Sequence, residues 1–193
     1  MSPRDFALIA QESYFAKPDI GNADSASRAI LRDTPEGLIV AFPGSDNLDC
    51  WVHDFDALPI TIDGIGRVHQ GFWNAWNQIG QEVLDRTIGK EVILVGHSLG
   101  AAMAIMAAAS YVVSNRPPLA IYAFEPPRTS PDVNLTSLLL KVPAYLYQTG
   151  NDLVTDVPEF WHHPAPLIHI GKPHLPIPNV QDHMIGAVLR ALS

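Results

Sequence analysis

The chain has 193 residues, 47% of them hydrophobic and 17% charged, with Cys50 its single cysteine. One substantial core can form from this composition, and an intrachain disulfide cannot. A formal net charge of −8, an isoelectric point near 5.3 and no Lys/Arg block exclude nucleic acid and an anionic membrane surface as electrostatic targets.

The first residues show no charged leader followed by a long apolar run, so no signal peptide is expected. With a lone thiol that suits a reducing compartment, the expected location is cytoplasmic. Ser2 and Asp5, with Pro3 between them, form a capping-box pattern that predicts a helix over 3–16. Strands follow at 28–33 and 37–42, then a helix over 70–87, a strand at 91–95, a helix over 99–114 and a strand at 119–124. An irregular stretch with a short apolar run near 135–141 precedes strands at 144–149 and 166–170 and a terminal helix over 181–192. Apolar strands alternating with helices predict an α/β fold in one domain over 1–193, with a mainly parallel central sheet covered on both faces. Ligands then bind at the carboxyl ends of the strands. No unbroken apolar run supplies the ~20 residues of a transmembrane segment. The Ala/Met/Ile stretch at 99–113 is the nearest, and it reads as a buried helix. The prolines between Pro158 and Pro178 mark a loop excursion.

Chemistry concentrates where the strand at 91–95 meets the helix at 99. Gly96-His97-Ser98-Leu99-Gly100 is the signature of a nucleophile elbow, a strained strand-to-helix turn that lifts a hydroxyl out of the sheet. Ser98 is the candidate nucleophile, and the Leu99 amide lies where negative charge develops in acyl transfer. A serine needs a base and a carboxylate to orient that base, in the chain order Ser, acid, His. Asp152 follows the strand at 144–149 through Gly150-Asn151 and is the first candidate acid, with Asp156 and Asp132 behind it. His183 is the candidate base. It opens the last helix, whose Met184, Ile185, Val188, Leu189 and Leu192 recur at the spacing of one buried face. Asp182 is expected to cap that helix. His97 is expected to point away from the nucleophile, and His53 and His69 precede Ser98. His162, His163, His169 and His174 lack paired carboxylates or cysteines, so they read as pocket wall and loop, and no metal or other cofactor is implied. The strand ending at Phe42 runs into Pro43-Gly44-Ser45, which makes the Ser45 amide the second oxyanion donor. Trp51, Phe55, Trp161 and His163 are candidate substrate-binding residues, with core packing the alternative for the aromatic ones.

Assembled, these motifs resemble the class 3 lipases, the α/β-hydrolase family that includes the fungal triacylglycerol lipases. The resemblance covers nearly the whole chain. The segment 42–55 is similar to the family's F-R-G-S region with its downstream Trp51 and Asp54, and Val68-His69-Gln70-Gly71-Phe72 to its V-H-x-G-F. Phe124 with Pro127-Arg128 resembles its F-x-x-P-R, Asn151-Asp152 with Val154 its acid turn, and Asp182-His183 its base segment. Pro43 stands where the family has an arginine, which removes an ion pair bracing the oxyanion loop. Residues 46–56 mix Asp46, Asp49, Asp54 and Asp56 with Leu48, Trp51, Val52 and Phe55, the pattern of an amphipathic lid, and an acidic one. The resemblance implies a serine carboxylic ester hydrolase on a small ester or lipid substrate, with soluble or dispersed esters ahead of a true interface. Acyl transfer to an alcohol, or a non-catalytic binding module on the same fold, are the alternatives.

Overall fold

In the computed structural model, which describes residues 1–45 and 57–193, the strands alternate between two buried faces. Val40 and Phe42 of β3 (Gly37–Phe42) and Leu94 of β6 (Val92–His97) point to one side. Ile39, Ala41, Ile93 and Val95 point to the other, and both sets are buried. A sheet that is apolar on both faces must be covered on both. The first face takes α4 (Leu99–Val113), a helix buried nearly all round, with α2 (Gln70–Asn77) outside it. Trp76 of α2 donates its indole N–H to Ser110 Oγ of α4 at 2.8 Å. The second face takes α1 (Pro3–Phe15) and α6 (Ile185–Ala191), through Phe6, Ala7, Ala10 and Val188. The capping box at Ser2 and Asp5 forms as the sequence predicts.

The sheet has seven strands. With β1 at Ile20–Gly21, β2 at Arg28–Thr34, β7 at Ala120–Phe124, β8 at Ala144–Thr149 and β9 at Leu167–Ile170, their order is β1-β2-β3-β6-β7-β8-β9. The pairs β1–β2 and β2–β3 are antiparallel, and the other four are parallel. Register places Phe42 beside Gly96, His97 beside Phe124 and Phe124 beside Tyr147. The carboxyl ends of these strands therefore finish together, and the loops that follow them share one rim.

Four expectations change. The helix over 70–87 is two helices, α2 and α3 (Gly80–Arg86), with the Trp76 ring packed so closely over Gly80 that a Cβ there would lie 2.8 Å from it. The apolar run near 135–141 is a helix, α5 (Asn134–Leu139), which buries Leu135 and Leu139. An antiparallel hairpin of β4 (Pro59–Ile62) and β5 (Gly66–His69) occupies a stretch that carried no sequence assignment. The last helix begins at Ile185, two residues after His183 rather than before it. No described helix is long and apolar enough to cross a membrane.

Candidate active site

Ser98 sits at φ 58° and ψ −124°, a strained conformation for a residue with a side chain, between β6 and α4. Its amide donates to the Phe124 carbonyl at the end of β7 at 2.9 Å, and its own carbonyl accepts from Ala101 at 3.0 Å. The flanking glycines answer to space: a Cβ on Gly96 would collide with the Gly100 carbonyl, and one on Gly100 with the Phe42 carbonyl. A Cβ on Gly44 would meet the Tyr14 hydroxyl and would lie 3.0 Å from Ser98 Cβ, so the loop after β3 leans directly on the elbow and brings Ser45 to it. Ser98 Oγ is buried and has no hydrogen-bond partner among the described residues.

Asp152 and His183 arrive from the other side. Asp152 Oδ1 accepts the Val154 amide at 2.9 Å and Oδ2 accepts from His183 Nδ1 at 2.8 Å. Burial works to raise the Asp152 carboxyl, but the positive charge His183 can carry and hydrogen bonds from His183, Glu125 and Val154 outweigh it and hold Asp152 below the usual carboxylate range. The aspartate is therefore an acceptor, which puts the proton of neutral His183 on Nδ1 and leaves Nε2 as the basic nitrogen. Nε2 is buried and, like Ser98 Oγ, without a partner among the described residues. Of the other acids, Asp156 pairs with Arg128 at 3.0 Å, and Asp132 accepts the Asn134 amide at 3.0 Å.

His97 does not turn away from the site as its place in the elbow predicts. Its Nε2 donates to the His183 carbonyl at 2.7 Å, and its ring lies 5.0 Å from that of His183. Because a carbonyl only accepts, Nδ1 of the neutral ring is the acceptor, and the Tyr14 hydroxyl donates to it at 2.6 Å. Burial, reinforced by the nearby His183 charge, lowers His97 to about 3, so it is neutral at ordinary pH. Asp182 does not cap a helix. Its carboxylate accepts from the amides of His174 and Asn151 at 3.0 and 2.9 Å and from Asn179 Nδ2 at 3.1 Å, tying three loop segments together beside His183.

The candidate substrate residues divide. Trp51 and Phe55, with the whole of 46–56, lie outside the described residues. Trp161 packs edge-on against His69, with ring centroids 5.5 Å apart, and His163 donates from Nε2 to the Thr155 carbonyl at 2.9 Å, bracing the turn after Asp152. The cavity at Ser98, about 260 Å³, is lined among the described residues by Ser45, His97, Ser98 and His183 on its polar side. Tyr14, Phe15, Met184 and Ile185 form its apolar side. Sequence reasoning passed over Glu125, fully buried at the end of β7, with Oε1 accepting the Thr149 amide at 2.8 Å. Its signal was an acid directly after the apolar strand Ala120–Phe124. Glu125, Asp152 and His183 are the one group of three among the described residues with ligand-type atoms within 4.8 Å of one another. Their contacts are with each other and with backbone amides, which already engage both Asp152 oxygens, His183 Nδ1 and Glu125 Oε1.

A mainly parallel sheet with a serine on the turn after its β6 strand, and with acid and histidine loops at the same rim, defines an α/β-hydrolase. Residues 39–161 match the family model for lipase (class 3), and the chain belongs to the class 3 lipases. It is 31% identical over 115 residues to secreted mono- and diacylglycerol lipase A of Penicillium cyclopium, covering 54% of this chain and 37% of that protein. It is 28% identical over 166 residues to secreted mono- and diacylglycerol lipase 1 of Fusarium solani, covering 80% of this chain and 48% of that one. The chain thus spans less than half the length of either relative. Among solved structures it resembles, at 17% identity and a TM-score of 0.75, a triacylglycerol lipase whose catalytic centre is a serine protease triad, over 94% of this chain and 91% of that one. The cytoplasmic expectation is overturned by the two fungal relatives, both secreted. Its premise fails physically, because a core held by packing without disulfides is not restricted to a reducing compartment.

Proposed function

We propose that the chain is a serine carboxylic ester hydrolase, with Ser98 as nucleophile, His183 as base, Asp152 as the acid that orients it, and the Ser45 and Leu99 amides as oxyanion donors. One observation carries this reading: His183 is tied through Nδ1 to a buried carboxylate, while its Nε2 and Ser98 Oγ, both buried and unpartnered among the described residues, belong to residues lining the same cavity. Nε2 takes the Ser98 proton as Oγ bonds to the ester carbonyl carbon, and the carbonyl electron pair moves onto oxygen, where the two amides stabilise it. The tetrahedral intermediate collapses by breaking the bond to the alcohol, which takes the proton from Nε2. Water then repeats the cycle, and Ser98 is restored as the carboxylic acid leaves. The names of the fungal relatives add mono- and diacylglycerols as the substrate class to try first.

Hydrolysis of p-nitrophenyl esters of graded acyl length, together with a triglyceride emulsion, tests the reading. Activity that falls about 10⁴-fold or more in Ser98→Ala supports it. A maximum on short soluble esters makes the enzyme an esterase, and a sharp rise on the emulsion makes it a lipase. Hydrolysis unchanged in Ser98→Ala overturns the assignment.

A further inference from the structure

Glu125 is fully buried, and its Oε2 has no hydrogen-bond partner among the described residues. Its backbone stands at φ 52°, a left-handed conformation that costs free energy in any residue with a side chain, and its amide donates to the Tyr147 carbonyl at 2.9 Å. The residue before it, Phe124, supplies the carbonyl that receives the Ser98 amide. One of the Glu125 carboxylate oxygens lies within 4.8 Å of one of Asp152's. Glu125 therefore touches both sides of the site, and a conformation this strained brings an acid against another acid in a dry setting.

Two ionised carboxylates this close and this buried repel, with little water to screen them, so one proton on the pair is the stable state. A proton on Oε2 also makes that unpartnered oxygen a donor. We propose that Glu125 is a positioning residue for Asp152: its carboxyl keeps a proton on Oε2 and donates it to the Asp152 carboxylate, so that the buried pair carries one negative charge, held towards His183. The other titratable groups around the pair are His183, bonded to Asp152 Oδ2, and His97, whose ring lies tilted beside that of His183 and is neutral. The direction of the Glu125 shift agrees: burial first, then the hydrogen bond and charge of Asp152, push it well above the ordinary carboxyl range.

This inference rests on the hydrolase reading for its effect on rate, but not for its direct readout. Infrared spectra of the folded protein at pH 7 should show the carbonyl stretch of a protonated carboxyl in wild type and its loss in Glu125→Gln. That signal reports on Glu125 whether or not the protein hydrolyses esters. In p-nitrophenyl ester hydrolysis, Glu125→Ala should lower kcat by about 10- to 100-fold with KM little changed, because the aspartate is no longer held. Glu125→Gln, a neutral donor of the same shape, should rescue most of that loss and leave the acid limb of the pH profile in place. Absence of the infrared band, or its persistence in Glu125→Gln, would overturn the proposal. So would an acid limb displaced by about one unit or more to lower pH in Glu125→Gln, the mark of a lost negative charge. The spectra and the glutamine variant decide the matter even if Glu125→Ala does not fold.

Discussion

Ser98 and His183 line one cavity but are held there by different means. The serine side is built by the sheet: β6 and α4 fix the chain on both sides of a single strained residue, and glycines at 44, 96 and 100 let backbones approach where a Cβ would collide. The histidine side is built by loops, and its rigidity comes from side-chain hydrogen bonds converging on Asp152 and Asp182. Apolar burial resists dissection by single polar substitutions, whereas a polar network loses several bonds with one carboxylate. The two halves are joined by the bond from His97, in β6, to the His183 carbonyl.

The contrast has two breaking points. Acid acts on the sheet-built half through His97. An unfolded His97 takes a proton below its ordinary value of 6.5, but the folded one resists until about 3, so the unfolded state binds more protons and stability falls as pH falls through that window. The slope reaches about 1.4 kcal/mol per pH unit for this group alone, which amounts to about 4 kcal/mol by pH 3. His163, lowered to about 4 chiefly by burial, adds to it with the same sign. Asp152, held below its ordinary value, also loses its stabilising contribution as it is protonated. Urea unfolding at pH 7 and pH 4 should therefore show a large loss for the wild type and a smaller one for His97→Gln, and equal losses would contradict the role given to His97. At the loop-built half, Asp182→Ala strands two backbone amides and the Asn179 side chain, with an expected cost of about 3 kcal/mol in the same unfolding measurement. Its kcat should fall about 100-fold as His183 loosens. A variant with full stability and rate would show that the loops hold themselves without it.

The same division governs what could be read in the sequence. The elbow is a local pattern, since Gly96, Ser98 and Gly100 do their work within five residues, and the apolar alternation around it dictates the parallel sheet. The capping box at Ser2 is equally local. Residues whose meaning depends on distant partners are not legible in this way. Asp182 looked like a helix cap because it precedes an apolar periodic segment, yet its partners lie at 151, 174 and 179. His97 reads as turned away from the nucleophile because only the fold brings the His183 carbonyl and Tyr14 to its ring. Glu125 was invisible for the same reason, its partner Asp152 being 27 residues further along the chain. The split of 70–87 into α2 and α3 follows from Trp76 packing over Gly80, a contact that helical periodicity does not encode.

The central claim is that a sheet-built serine and a loop-built histidine act as one unit, and covalent labelling tests it most directly. A fluorophosphonate forms a bond from its phosphorus to the activated serine oxygen and releases fluoride, and mass spectrometry locates the adduct. One adduct per chain on the Ser98 peptide is predicted, with labelling slowed about 100-fold or more in folded His183→Ala. An adduct at another residue, or labelling of Ser98 just as fast without His183, would contradict it.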